Sequence, residues 1–479
     1  MNWTLLFDSL LLVYWVVVAI AIIAEDREPY DTIAWIAVLA LLPAVGLVIY
    51  FFFGRDWEGW LAKQRWVREW TALRTPYMVS IHDRFAAFSA QRAERIAGTV
   101  GERVSTTIAA TNTSPLLPAT SYDIFPDGEE YFAALLDDLA QARESIHMEY
   151  FIWECDELTA RVKAVLLDRL AHGVDLRILN DFVGSIWYDK RELRELAAAG
   201  AQVASDMTQL GRLNYRNHRK ITLIDGVIAH TGGFNLGQEY IDGGKRFGAW
   251  RDTGLRLTGP IVVELAKLFA DRWFEVKRES LYRDEFFRAE YVAVPDDALT
   301  AQVVAHGVED AWESSRRALA IAIGQATRHV WIQSPYFIPD IATYDAMINA
   351  ALSGVDVRFM MTEHPDKRIA FRAAESYYRP LLRAGGRIFR WTPGFLHAKS
   401  VTVDGTVSAV GTMNLDVRSL KLDKELMVWC YDEGVASRCE QIFESDMADC
   451  REITLEEVES WGWRRRFGNS AARLGSNVM

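Results

Sequence analysis

Residues 217–226 read NHRKITLIDG, and residues 396–405 read LHAKSVTVDG. Each is a His-x-Lys followed by four residues and an Asp, and the two copies stand 179 positions apart. Asp-Gly between alternating apolar runs is the strongest short hairpin signal. HRKITLI-DG-VIAHTGG and HAKSVTV-DG-TVSAVGT are therefore each expected to form two antiparallel strands. Side chains two residues apart share a strand face. His218 and Lys220 then point one way, as do His397 and Lys399, while Asp225 and Asp404 point the other way or sit in the turn. That makes the two Asp residues structural. Pairing Ile224 with Val227 sets His218 opposite Gly233, so that Gly232 and Gly233 leave room for a ligand against the backbone. Asn235 follows as an amide donor, and Gly411, Thr412 and Asn414 are its counterparts in the second copy.

The surroundings of the motif repeat as well. SIHMEYFIW (145–153) is strand-like, residues 157–172 have helical spacing, and GVDLRIL (173–179) is again a strand. HVWIQSPYFI (329–338), residues 341–353 and GVDVRFMM (354–361) repeat that order. The offset drifts from 186 at Tyr150/Tyr336 to 181 at Gly173/Gly354, as loop insertions would give. Two β-α-β units followed by hairpins predict an α/β chain of two similar lobes, each a mixed sheet flanked by helices.

Each lobe thus offers one imidazole, one ammonium and one amide. Two lobes face to face would surround a phosphate with cationic donors and stabilise a phosphoryl transition state without a metal or other cofactor. Two histidines suit a two-step displacement, in which one attacks phosphorus and the other protonates the leaving alcohol and deprotonates the incoming one. Such roles call for environments that push the two pKa values apart. A nucleophilic imidazole also needs its second ring nitrogen oriented, usually by a carboxylate. Asp252 in WRDT follows His218 by 34 residues, and Glu425 in LDKEL follows His397 by 28; these are the expected orienting acids. A single His-x-Lys-x4-Asp is a weak signal, but two in a duplicated frame, each followed by Gly-[Gly/Thr]-x-Asn, are strong. The other histidines, such as His147, His172 and His230, read as polar core or surface groups.

The chain has 479 residues, is half hydrophobic and carries a net charge of −12. This excludes a disordered chain and argues against an indiscriminate nucleic-acid binder, which needs Lys and Arg to displace counterions. Cys155, Cys430, Cys439 and Cys450 form no Cys-x-x-Cys and read as free thiols in a reducing compartment. The N-terminus is strongly apolar. LLLVYWVVVAIAIIA (10–24), extended upstream by Trp3, Leu5, Leu6 and Phe7, and the uncharged run Thr32–Phe53 read as a transmembrane helical hairpin. A signal peptide fits less well, because a basic start and a small-residue cleavage site are lacking. Arg55, Lys63, Arg65 and Arg68 follow the second segment and put everything after it in the cytoplasm. RDWEGWLAKQRWVREW interleaves Trp57, Trp60, Trp66 and Trp70 with bases, as a helix at the lipid headgroups would. The expected organisation is 1–54 transmembrane hairpin, 55–115 interfacial helix and linker, 116–300 first lobe and 301–479 second lobe. Two basic stretches, His364–Arg390 and WGWRRRF (461–467), read as further lipid contacts or as solvated helices.

The paired motifs resemble the HKD signature of the phospholipase D superfamily. RLNYRNHRKITLIDG, GGFNLGQEYI, WRDT, QSPYFIPD, FLHAKSVTVDG and GTMNLDVRSLKLDKEL resemble, more narrowly, blocks of the bacterial cardiolipin synthases. REPYDTIAWIAVLALLPAVGLVIYFFFG resembles that family's membrane segment. The resemblance implies two phospholipase D-like lobes and transfer of a phosphatidyl group between two phosphatidylglycerol molecules, giving cardiolipin and glycerol. It implies His218 as nucleophile, His397 as general acid and base, and Lys220, Lys399, Asn235 and Asn414 on the phosphate. It also carries Asp225 and Asp404 into the catalytic signature. A phospholipase D-type hydrolase, or transfer to a different acceptor alcohol, uses the same residues. The implied partners are phosphatidylglycerol and other anionic lipids of the inner membrane, with a multi-pass anchor, a cytoplasmic catalytic domain and no nucleic acid. The oligomeric state stays open.

Overall fold

The computed structural model describes residues 3–25, 29–54, 65–206, 215–307 and 310–475. The chain divides into two units, Met1–Val67 with Met207–Asn214, and Arg68–Asp206 with Tyr215–Met479. In the first unit the leading apolar segment is the helix Trp3–Ile23. The expected second span is not one helix. It breaks into Pro29–Leu41 and Pro43–Ile49, followed by a π-helical turn at Tyr50–Gly54. Pro43 has no N–H and disfavours helical geometry in the residue before it, and Leu42 duly sits at φ −131°, ψ 66°. Among the described residues no helix is long and apolar enough to cross a membrane, so the expected transmembrane hairpin is not seen. The acidic connector at 26–28 and the tryptophans Trp57 and Trp60 lie outside the described residues.

In the second unit the strands, in chain order, are β1 (Leu117–Ala119), β2 (Ser121–Phe125), β3 (Ser145–Tyr150), β4 (Asp175–Asn180), β5 (Gln202–Ser205), β6 (Ile221–Ile224), β7 (Ile228–Gly232), β8 (Trp250–Arg251), β9 (Gly254–Thr258) and β10 (Leu299–His306). They continue as β11 (His329–Gln333), β12 (Phe337–Ile338), β13 (Asp356–Thr362), β14 (Arg387–Trp391), β15 (Phe395–Leu396), β16 (Ser400–Val403), β17 (Val407–Gly411), β18 (Leu415–Asp416), β19 (Glu425–Cys430) and β20 (Cys450–Ile453). One sheet runs β2-β9-β7-β6-β3-β4-β5, the other β1-β10-β19-β17-β16-β11-β13-β14-β20. The order β9-β7-β6-β3-β4-β5 therefore recurs as β19-β17-β16-β11-β13-β14, which is the duplication read from the sequence. In each lobe a helix, Glu157–Ala171 or Ile341–Leu352, links a parallel strand pair, β3/β4 or β11/β13. β1, which comes before the first lobe's other strands, adds to the second lobe's sheet against β10.

Both Asp-Gly hairpins form, in a register one residue away from the expected one. Ile224 pairs with Ile228 and Val403 with Val407, which leaves a three-residue turn in each. Asp225 and Asp404 take left-handed φ of 51° and 53°. Their carboxylates decide this. Asp225 accepts from the backbone N–H groups of Arg143, Glu144 and Ser145, where β3 begins. Asp404 accepts from those of Thr327, Arg328 and His329, where β11 begins. In this register His218 no longer faces Gly233, and both it and Lys220 precede β6 rather than lie in it.

The lobes share their core. The helix Val262–Lys277 is buried nearly all round, as expected of a helix held between two layers. Leu265, Phe269 and Trp273 pack in one cluster with Leu223 and Leu257 of the first sheet and Val303, Val410 and Val428 of the second. The helix Arg65–Arg84 joins this body along one face, while Leu73 and Val79 on it are exposed. Trp70 donates its indole N–H to Asp271 at 2.8 Å, and Met78, Ile81 and Phe85 are buried. The four cysteines are unpaired. His147 and His230 are buried polar groups, beside Arg177 and Asp138 respectively.

Candidate active site

Two short backbone ladders, one for each copy of the motif, build the site. Asn217 bridges Lys424 in parallel, with His218 N–H donating to Lys424 O at 3.0 Å and Lys424 N–H to Arg216 O at 2.8 Å. On the other side β15 pairs in parallel with β8, with His397 N–H donating to Arg251 O at 2.7 Å. Each histidine segment is thus stitched to the strand of the opposite lobe that carries an acid. Lys424 fixes this ladder further, its ammonium lying 3.3 Å from Glu275.

The acids cross accordingly. His218 Nδ1 lies 3.0 and 3.1 Å from the Glu425 carboxylate, and His397 Nδ1 lies 2.5 Å from Asp252 Oδ2. Both expected acids lie within hydrogen-bond distance of an imidazole, but each meets the other lobe's histidine and not its own. The reason is the ladder register, which spacing within one lobe does not reveal. The glycine pattern after each hairpin serves these acids. A Cβ on Gly233 would stand 1.8 Å from Asp252 Oδ1, so the space read as room for a ligand is filled by that carboxylate. In the second lobe Thr412 takes the equivalent place and donates its hydroxyl to Glu425.

Both imidazoles line one cavity of about 390 Å³. Lys220 and Lys399 are buried behind them, each ammonium donating to its own lobe's histidine carbonyl. Asn235 and Asn414 also line the cavity. Asn235 donates to the Tyr240 hydroxyl at 3.0 Å and accepts from Ile152 N–H at 3.2 Å, whereas Asn414 Oδ1 has no hydrogen-bond partner among the described residues. Asp225 and Asp404 are not at the site. They cap the starts of β3 and β11, while the cavity lies beyond the ends of these strands, at Phe151 and Tyr336.

Burial sets the electrostatics. It lowers the pKa of Lys220 to about 7 and that of Lys399 to about 8. Burial, Lys220 and Lys399 push His218 well below the usual imidazole value; burial and Lys399 lower His397 to about 3. The protein's own groups therefore make both rings neutral, and the expected contrast between the histidines falls on their acids instead. Burial raises Glu425 to about 7. It works the same way on Asp252, but Lys399 and His397 outweigh it and hold that carboxyl low.

The sequence reading missed much of the cavity wall. Tyr336 donates to Asp366 at 2.6 Å, and Asp423 Oδ1 accepts from Arg216 N–H at 3.3 Å and from the Arg418 guanidinium at 3.1 Å. Burial raises Asp416 to about 6. Aromatic rings flank both histidines: Phe151 lies 5.0 Å from the His218 ring, and Trp250 and Phe395 lie 5.2 and 5.8 Å from the His397 ring.

The family profile described as "Cardiolipin synthase, PLD-like domain" matches residues 135–250 and 319–447, which hold both motifs and Glu425, with Asp252 just beyond the first stretch. The chain belongs to the cardiolipin synthase family of the phospholipase D superfamily. A second profile, "Phospholipase D-nuclease N-terminal", matches residues 12–55. Among family members, the cardiolipin synthase of Geobacillus kaustophilus (strain HTA426) is 33% identical over 99% of this chain and 94% of its own. Cardiolipin synthase A of Pseudomonas fluorescens (strain SBW25) is 33% identical over 96% and 95%. The crystal structure of phosphatidylserine synthase from Haemophilus influenzae Rd KW20 shares the fold, with a TM-score of 0.60 at 14% identity over 78% of this chain and all of that one.

Proposed function

We infer that this member of the cardiolipin synthase family transfers a phosphatidyl group from one phosphatidylglycerol to a second, forming cardiolipin and releasing glycerol. The observation that carries this reading is the pair of imidazoles, each with its Nδ1 on a buried carboxylate, lining one cavity. His218 Nε2 attacks phosphorus, and the bond from phosphorus to the glycerol oxygen breaks. His397 gives that oxygen its proton. A primary hydroxyl of the second phosphatidylglycerol then loses its proton to His397 and attacks phosphorus. The phosphorus–nitrogen bond breaks and His218 recovers its lone pair. A bound phosphodiester anion offsets the two lysine charges that hold His397 neutral, so it favours the protonated ring needed in the first step. Lys220 and Lys399 supply positive charge to the phosphoryl oxygens, and Asn235 and Asn414 line their path. The N-terminal apolar segments hold the enzyme at the inner membrane, with the catalytic body on the cytoplasmic side, where Arg65 and Arg68 follow the second segment.

The test is product analysis with labelled phosphatidylglycerol and purified protein, without added metal. Cardiolipin and glycerol in equal amounts are expected, with neither product formed by His218→Ala. Phosphatidic acid in place of cardiolipin would mean that water takes the phosphatidyl group, and full activity in His218→Ala would sink the mechanism.

A further inference from the structure

The cavity has a rim on each lobe. On the first lobe, in the loop after β4, Tyr188 lines the cavity, and Ile186 and Trp187 just before it are 43% and 90% exposed. On the second lobe, after β13, Lys367 and Ala370 line the cavity, and Ile369 between them is 63% exposed. The repeat thus sets large apolar side chains in solvent at equivalent places on both sides of the opening. Beside Ile369, Lys367, Arg368 and Arg372 are exposed as well. Arg372 also reaches Glu375 at 3.9 Å while its side chain stays half exposed, and the other arginines of this stretch pair with acids: Arg379 and Arg383 with Glu459, Arg387 with Glu452 and Arg390 with Glu375. The helix Trp463–Arg473 packs on the rim helix Arg368–Glu375 through Arg465 and Asn469, which bond Glu375. Its far side carries Trp463 and Phe467, 73% and 70% exposed, next to Arg464 and Arg466.

A cavity of about 390 Å³ with charged walls holds headgroups, not two pairs of acyl chains. Moving those chains into water costs about 0.8 kcal/mol per methylene. Tryptophan and bulky aliphatic residues ringed by bases suit the boundary between lipid headgroups and tails. We propose that this rim docks on an anionic bilayer surface, with Ile186, Trp187 and Ile369 entering the leaflet and Lys367, Arg368 and Arg372 meeting lipid phosphates. Headgroups then enter the cavity while their tails stay in the membrane. This rests on the phosphatidyl-transfer reading.

The test has two arms on the full-length protein. In the first, hydrogen–deuterium exchange of residues 182–190 and 366–372 is followed with phosphatidylglycerol vesicles and with phosphatidylcholine vesicles. Protection by the first alone is expected; no protection by either overturns the proposal. Protection without any turnover keeps the rim and discards the transferase reading. In the second arm the double variant Trp187→Ala/Ile369→Ser is assayed on vesicles and on monomeric short-chain phosphatidylglycerol. Tenfold or greater loss on vesicles, with the short-chain rate kept within twofold, is expected, and Trp187→Phe/Ile369→Leu should restore the vesicle rate. Equal loss on both substrates, or no loss on vesicles, overturns it. So does a wild-type dimer that the double variant turns into a monomer, since the rim would then belong to a second copy.

Discussion

At the scale of single residues the crossed acids give each carboxylate a distinct job. In the proposed mechanism Asp252 supports the ring that protonates the leaving alcohol, and Glu425 supports the ring that attacks. Asp252→Asn and Glu425→Gln should each slow cardiolipin formation about 10²–10⁴-fold, the usual range for lost acid–base support. A phosphatidyl ester of p-nitrophenol needs no protonation to leave. Its burst should therefore be largely restored in Asp252→Asn and remain slow in Glu425→Gln; pairing within each lobe would give the reverse, read by stopped-flow absorbance. The pH dependence follows from the same groups. Lys220 and Lys399, lowered to about 7 and 8, are charged below those values and lose their charge above them. Glu425, raised to about 7, is ionised only above that value. Thus kcat/KM should trace a narrow bell, falling on the acid side below pH 7 and on the alkaline side between pH 7 and 8. The alkaline limb of kcat should lie higher, because a bound phosphate anion favours charged lysines.

At the scale of elements, the hairpin aspartates separate stability from chemistry. Asp225→Ala leaves three backbone N–H groups without their acceptor. It should cost about 2–4 kcal/mol of stability in a denaturant melt, at 1–3 kcal/mol for each N–H that water fails to reach. Turnover per folded molecule should stay within about threefold. Gly233→Ala should cost both, since its Cβ displaces the buried Asp252 carboxylate: about 1–3 kcal/mol in the melt and kinetics that copy Asp252→Asn. These elements also show what the sequence reveals and what it hides. Asp-Gly announces each hairpin because its backbone preference is local. The register is hidden because the Asp carboxylate answers to N–H groups some eighty residues away in sequence. Spacing finds Asp252 and Glu425 but cannot pair them, since the pairing is set by β8 on β15 and by Lys424 on Asn217. Hydropathy marks the N-terminal segments, yet the run it reads as continuous is broken at Pro43.

At the scale of the whole molecule the lobes form one cooperative body, because the helix Val262–Lys277 and both sheets contribute to a single cluster. Phe269→Ala should cost about 3–5 kcal/mol and shift one calorimetric transition, without splitting it into two. The duplicated order of strands is the most legible feature at this scale, since repeated motifs carry it openly. The common core is the least legible, because apolar periodicity does not say which lobe a buried face meets. The crossed acids have one more consequence. Severed in the exposed stretch at Pro295–Asp297, the polypeptide would yield an amino-terminal fragment holding His218 without Glu425 and a carboxy-terminal fragment holding His397 without Asp252. Each would be chemically silent by itself. Co-expressed, they would complement, and turnover would report reassembly directly, because neither fragment owns a finished half of the machine.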